Sequence, residues 1–279
     1  MFEKGLLGGK RILITGGGSG LGAAMGHRFL DLGAELLICG RRRELLEKTA
    51  AEMRQATGGK VSVHPCDIRN GAEVDAMMEA AFGEAPLDVL VNNAAATFIA
   101  QTEQLSFRAA DAILAPTLHG AMYCTLAAGK RWIESGHKGV VLSILSTSTI
   151  TGRAFTVPSA MAKSALLAMT RSLAVEWGPK GVRLVAIAPG AFPTEGATGQ
   201  LRPEGRDPSW AARNPLGRVG RHSELCDLAS FLISDAAAYI NGEMVVVDGG
   251  AHLRSSGAED LLQWTEAQWK ELRQSRIKG

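Results

Sequence analysis

Short apolar runs alternate along this chain with longer segments in which apolar residues recur every three or four positions, the two periods of buried strands and amphipathic helices. Runs at 11–15, 34–39, 60–65, 87–91, 140–144, 182–188 and 244–247 read as strands. Helical patterns fall at 23–32, from the arginine cluster to about 57, at 72–82, and over 107–134 with Pro116 and Gly120 as irregularities. A further helix carries Ser159 and Lys163 and runs to Trp177, and another spans 223–233. Continuous apolar strands are buried on both faces, and strand–helix alternation packs as a parallel sheet. The expected fold is α/β, a doubly wound parallel seven-stranded sheet in a single Rossmann-type domain covering 1–279. The Gly/Pro-rich stretch at about 191–221, with Trp210, is too long for an ordinary connection and reads as a substrate lid or a passive surface excursion. The tail at about 252–279, with Trp264, Trp269 and Leu272, reads as a final amphipathic helix packed on the body or on a neighbouring subunit.

Composition narrows the class. The 279 residues are 46 % apolar with a mean hydropathy near zero, enough for the core of one large α/β domain. The formal net charge is only +2 and the basic residues are dispersed, so the electrostatic footprint of a nucleic-acid partner is missing. No apolar signal core follows Met1, and no run of about 18 apolar residues occurs. The expectation is a soluble cytoplasmic protein with no membrane partner. Cys39, Cys66, Cys124 and Cys226 stand far apart, which argues against a metal cluster or a disulfide framework and reads as buried thiols in a reducing compartment.

The first candidate chemistry lies where strand 11–15 runs into Gly16, Gly17, Gly18, Ser19, Gly20, Leu21 and Gly22 and then into a helix. Such a unit lets backbone approach a pyrophosphate and offers it the free amides and dipole of a helix N-terminus; the plainer alternative is a structural turn. In NAD-selective folds of this type an acidic residue about 20 positions further on binds the ribose 2′-hydroxyl. Here Cys39 and Gly40 hold that place, followed by Arg41, Arg42 and Arg43. A guanidinium suits a 2′-phosphate, so NADP(H) is favoured, with Arg41 nearest the strand end. Alternatively, the arginines are the solvated first turn of the next helix. Asp67, beside Ile68 at the end of the third strand, is either an acceptor for an adenine amino group or a capping aspartate. The small residues of Asn92-Asn93-Ala94-Ala95-Ala96 leave room for a flat ring.

Hydroxyls cluster after the fifth strand, at Ser143, Ser146, Thr147, Ser148 and Thr149. Ser159 precedes Lys163 by four positions, so the two share a helix face. Pro189-Gly190 closes the sixth strand.

These residues resemble the short-chain dehydrogenase/reductase family over almost the whole chain. Thr15 to Gly22 is similar to its cofactor turn, Asn92-Asn93-Ala94-Ala95 to its central-strand motif, Lys163 to its active-site lysine and Pro189-Gly190 to its post-strand motif. The resemblance implies a nicotinamide cofactor, a homotetramer or dimer, and Lys163 at the nicotinamide ribose. With the residues read above, the expected cofactor contacts are Gly16, Gly18, Ser19, Gly20, Leu21, Gly22, Arg41, Asp67, Ile68, Asn93, Ala94, Ala95, Lys163, Pro189 and Gly190. The family also implies a catalytic serine and tyrosine. Ser146 holds the serine's place, Ser159 holds the tyrosine's, and His119 replaces a helix asparagine.

That departure bears on the chemistry. A carbonyl reductase needs an acid for the developing alkoxide; a phenol with pKa about 10 can be tuned for that, and an aliphatic hydroxyl is far poorer. The 2,4-dienoyl-CoA reductase branch of the family also carries serine there, and the resemblance to it extends through 155–163, 174–178 and the tail at 263–273. It implies NADPH-dependent reduction of a conjugated acyl-CoA thioester, in which charge collects on the thioester oxygen and donors aimed at that oxygen matter most. Mitochondrial-type members bind this oxygen with an Asn and a Tyr whose places are taken by Thr97 and Ser148, both shorter donors. The expected catalytic set is Lys163, Ser146, Ser148, Ser159 and Thr97. His119 joins it either as a further proton donor, since histidine titrates near neutrality, or only as a helix-packing residue. No metal is expected. An alcohol or ketone oxidoreductase with a relocated acid, and an NADP(H)-binding protein without catalysis, are the rival functions.

Overall fold

The computed structural model describes residues 2–201, 209–254 and 259–277. Seven strands, β1 (Arg11–Thr15), β2 (Glu35–Gly40), β3 (Val61–Pro65), β4 (Val89–Asn92), β5 (Gly139–Ile144), β6 (Val182–Pro189) and β7 (Met244–Val247), form one sheet in the order β3-β2-β1-β4-β5-β6-β7. Every neighbouring pair is parallel. The helices are α1 (Gly20–Asp31), α2 (Arg43–Thr57), α3 (Gly71–Glu84), α4 (Phe107–Leu114), α5 (Gly120–Ser135), α6 (Ser148–Thr151), α7 (Val157–Trp177), α8 (Glu195–Leu201), α9 (His222–Ile233) and α10 (Glu266–Ile277). Strand order reverses between β1 and β4, and open α/β sheets bind ligands outside the carboxyl ends of the strands at such a switch point.

Because strand side chains alternate between faces, an uninterrupted apolar run fills a layer on each side. Ile12, Ile14, Leu36 and Ile38 pack with Met25 and Phe29 of α1, Met53 of α2 and Leu232 of α9. Leu13, Leu37 and Leu90 face the other way, against Met78 of α3, Trp132 of α5 and Trp177 of α7. Arg11 opens β1 almost buried, its guanidinium satisfied by the carbonyls of Ala81 and Ala85 and the carboxylates of Glu35 and Glu84. A charge is sustained at such a place only when fully partnered.

The structure refines the sequence reading in places. Residues 107–134 are helical apart from the irregularity expected at Pro116 and Gly120, where Ala115–His119 forms a turn of π-helix between α4 and α5. Pro116 has no N–H to donate and its ring crowds the turn before it, so the ladder widens there. β4 begins at Val89 rather than at 87, and the Leu87 carbonyl accepts from the indole of buried Trp132 at 2.6 Å. Within the long stretch after β6, α8 is a formed helix, and residues 202–208 lie outside the described residues. In the tail, α10 is polar, with Trp269 and Leu272 half-buried, and Trp264 sets its ring 4.9 Å from that of Trp269. No helix among the described residues is long and apolar enough to cross a membrane.

Candidate active site

The carboxyl ends of β1, β4, β5 and β6 converge on one edge of the sheet. At β1 the chain turns through Gly16 (φ +67°) and Gly20 (φ +56°), left-handed backbone that favours glycine. A Cβ on Gly16 would lie 3.1 Å from the Ala94 backbone, and one on Gly22 would lie 2.6 Å from the Asn93 amide and meet the Gly16 carbonyl. Glycine is therefore required by the close approach of β4 as well as by the turn. Thr15 and Asn93 make that approach: Thr15 Oγ1 donates to the Val91 carbonyl at 3.3 Å and accepts from the amides of Asn93 and Ala94, each at 3.0 Å. The Asn93 side chain returns a bond to the Thr15 carbonyl at 2.9 Å. Ser19 stands in extended backbone before α1 and makes no side-chain capping bond, so the first amides of α1 are not taken by a cap. A glycine cradle without Cβ atoms, opening an uncapped helix, fits the pyrophosphate of a dinucleotide. Leu21 is half-buried and packs on the core layer behind the turn.

On the adenine side, Cys39 is buried and its thiol is pushed well up by that burial. All four cysteines are buried; for Cys66, Cys124 and Cys226 too, burial is the first cause of a raised pKa. These are packing thiols. Among the described residues no cluster of His, Cys, Asp or Glu is arranged to hold a metal. Ile68 is buried against Gly120, where a Cβ would meet its side chain. Asp67 is half-exposed, but its carboxylate is already engaged by the Arg69 guanidinium at 2.5–2.9 Å. Hydrogen bonds from Arg69, opposed by desolvation and supported by the more distant charge of Arg41, hold the Asp67 carboxyl below its usual range. Of the three consecutive arginines, Arg43 approaches Glu47 at 4.0 Å.

On the other side of the switch point, Lys163 is buried in α7 and its Nζ donates to the carbonyl of Ile144, the last residue of β5, at 2.5 Å. Burial lowers its pKa to about 8. Just beyond Ile144, Ser146 is half-buried and its Oγ accepts from the Ser148 amide at 3.3 Å; Ser148, opening α6, is buried. Ser159 sits half-buried one turn before Lys163. The loop carrying Thr97, itself half-buried, is tied to the approach to α7 by the bond from the Ala100 amide to the Phe155 carbonyl at 3.0 Å. Phe155 holds φ +63°, costly for an aromatic residue, and leaves its ring more than half exposed.

Two sequence candidates fare differently. Pro189-Gly190 closes β6 in a tight contact: the Thr147 amide reaches the Pro189 carbonyl at 3.4 Å, and a Cβ on Gly190 would lie 2.5 Å from that of Asp248. His119, by contrast, is exposed and stacks on Tyr123, ring centroids 6.3 Å apart. The buried residue of that π-turn is Thr117, whose hydroxyl accepts from the Ala96 amide at 3.0 Å and donates to the Ala96 carbonyl at 3.2 Å. Thr117 braces the alanine segment, and the sequence reading passed over it; its one signal is the place directly after Pro116. Thr194, whose side chain would lie 3.4 Å from a Cβ on Gly20, was missed as well, though it follows Pro189-Gly190 closely.

At this edge of the sheet a glycine cradle, a buried lysine and a hydroxyl cluster therefore stand together. Residues 16–252 match the family described as Enoyl-(Acyl carrier protein) reductase. The chain belongs to the short-chain dehydrogenase/reductase family, oxidoreductases that use NAD(P)(H). It is 39 % identical over 247 residues to a probable 2,4-dienoyl-CoA reductase of Bacillus subtilis, covering 88 % of this chain and 97 % of that one. Among solved structures, a putative NAD(P)-dependent gluconate 5-dehydrogenase from Beutenbergia cavernae with bound NADP is similar at TM-score 0.83 and 30 % identity, covering 88 % of this chain and 98 % of that one. A 3-ketoacyl-(acyl-carrier-protein) reductase from Brucella melitensis complexed with NADH is similar at TM-score 0.79 and 30 % identity, covering 88 % and 99 %.

Proposed function

We propose that this chain is an NADPH-dependent reductase of conjugated acyl-CoA thioesters, of the 2,4-dienoyl-CoA type. The observation that carries the reading is the place of Ser159: it stands one turn before buried Lys163, where a carbonyl reductase needs a tunable phenol. Conjugate reduction does not need that acid in the same way. When bound, the cofactor would supply a hydride to carbon; the charge then held at the thioester oxygen is discharged when a proton from water reaches carbon, which completes the reduction.

Each residue then has a task it can perform. Gly16, Gly18, Gly20 and Gly22 admit the pyrophosphate to the α1 N-terminus, with Asn93, Ala94 and Ala95 forming the adjoining wall and Pro189-Gly190 the far edge. Lys163, cationic below a pKa of about 8, holds the nicotinamide ribose and contributes positive charge near the reacting carbons. The hydroxyls of Thr97 and Ser148 donate to the thioester oxygen, their short reach leaving space for a water between donor and acceptor, and Ser146 and Ser159 are further polar contacts to the acyl group. Arg41 receives the 2′-phosphate, favouring NADPH over NADH. Support for an acyl-thioester substrate comes from the Bacillus subtilis relative named above. The exposed position of His119 gives no support to a histidine proton donor for ketones.

The deciding assay is NADPH consumption at about 340 nm, the reduced-nicotinamide absorbance, with a medium-chain 2,4-dienoyl-CoA beside a simple ketone. Oxidation with the thioester alone is expected. Turnover of the ketone with none of any dienoyl thioester would sink the reading, and tight cofactor binding with no turnover of either would make the chain a non-catalytic NADP(H)-binding protein.

A further inference from the structure

The Asp67–Arg69 pair has a geometry that the adenine reading of Asp67 leaves unused. Arg69 Nε lies 2.8 and 2.9 Å from the two carboxylate oxygens, Nη2 lies 2.5 Å from Oδ2, and the Arg69 amide donates to Oδ1 at 3.1 Å. The segment is pinned further by Glu73, which accepts from the Asp67 amide at 2.8 Å and from the Asn70 side chain at 3.1 Å. This segment runs directly beside the arginine cluster: Gly40 pairs with Pro65 across β2 and β3, and the Cys66 amide donates to the Gly40 carbonyl at 3.0 Å. Arg41 lies near enough for its charge to act on Asp67. Asp67 is therefore bound by one cation and stands on a strand end adjacent to the one that carries the other.

We propose that Arg69 is a positioning residue for cofactor choice: by occupying both oxygens of Asp67 it keeps that carboxylate from drawing Arg41 into an ion pair, and so leaves Arg41 for the 2′-phosphate. The planar fork of a guanidinium can saturate a carboxylate, whereas a single point charge cannot. Without Arg69, Asp67 competes with the phosphate for Arg41 and repels the phosphate as well. Neither effect touches a cofactor that carries a 2′-hydroxyl. The inference rests on the NADP(H) reading of Arg41.

The test is equilibrium binding of NADPH and of NADH, followed by cofactor fluorescence without substrate, for wild type, Arg41→Ala, Arg69→Gln, Asp67→Asn and the Asp67→Asn/Arg69→Gln double variant. The quantity compared is the ratio of the two dissociation constants, which divides out any change at the adenine shared by both cofactors. Arg69→Gln is expected to reduce the preference for NADPH by about two- to fivefold, the scale of an exposed ion pair. The double variant, lacking the competing carboxylate, is expected to recover the wild-type ratio. Arg69→Lys should fall between. Equal weakening of both cofactors by Arg69→Gln would make the pair merely structural, and a double variant with no recovery would overturn the competition. A wild type with no preference for NADPH, or an Arg41→Ala variant that keeps it, would instead refute the NADP(H) reading and this inference with it; a wild-type preference lost in Arg41→Ala but kept in Arg69→Gln would refute the inference alone.

Discussion

Thr15→Val tests the brace between the dinucleotide turn and the central strand at the smallest steric change. The valine matches threonine in shape but removes Oγ1, which donates to the Val91 carbonyl and accepts from the amides of Asn93 and Ala94. Two backbone N–H groups then lose their acceptor at the place where a Cβ on Gly16 or Gly22 would already collide, so little room exists for water to replace it. Leaving a buried donor unsatisfied costs about 1–3 kcal/mol. Asn93 and Ala94 are half-buried, so the low end applies to each, and the sum is about 2 kcal/mol. For a chain of this size that corresponds to a fall of roughly 3–4 °C in Tm. Differential scanning calorimetry would measure it, and NADPH fluorescence titration on the same samples should show weakened binding, because the cradle and its β4 wall lose their common anchor. Thr15→Ser keeps the oxygen and should restore most of both properties. A Thr15→Val protein that melts with the wild type and binds NADPH equally well would refute the argument that this hydroxyl sets the spacing of β1 and β4 at the site.

Lys163→Met should change how stability depends on pH. Burial depresses the lysine's folded pKa to about 8 from the usual 10.5, so between those values the unfolded chain binds the extra proton, and this group's contribution makes stability rise with pH. The cofactor-free wild type should gain up to about 3 kcal/mol relative to Lys163→Met across that window, read from urea melts at matched pH; parallel profiles would contradict the desolvated ammonium. If conjugate reduction is the activity, Thr97→Ala/Ser148→Ala should lower kcat by about ten- to a hundredfold with little effect on NADPH binding, and unchanged turnover would remove both hydroxyls from the oxygen-binding role. Along α7, Met161 and Val175 are 57 % and 80 % exposed, with exposed Ser164 and Ala168 between them on one face. That face is expected to pair with a second copy, so Val175→Glu should shift the mass measured by light scattering toward the monomer, whereas a wild type that already runs as a monomer would exclude the pairing.

Periodicity along the chain was enough to place seven strands, their parallel order of helices between, and the two apolar layers, because burial on both faces writes itself into every residue of a strand such as 11–15. Glycine spacing and the interval between Ser159 and Lys163 were equally readable, since turn conformation and helix pitch are local properties of the backbone. What tertiary structure decided are the contacts between distant segments and the state of each group in them. Sheet register, not any local pattern, brings Thr15 to Asn93, 78 positions apart. Thr117 and His119, two positions apart, lie on opposite sides of the turn at Pro116, and packing against the Ala96 segment decides that Thr117 is the one inside. Asp67 and Arg69 are only two positions apart, yet their pairing needed the side-chain orientations that the loop after β3 imposes. The same holds for Lys163: its presence was legible, but its depressed pKa depends on how much water the surrounding elements exclude, and that is a property of the packed fold alone.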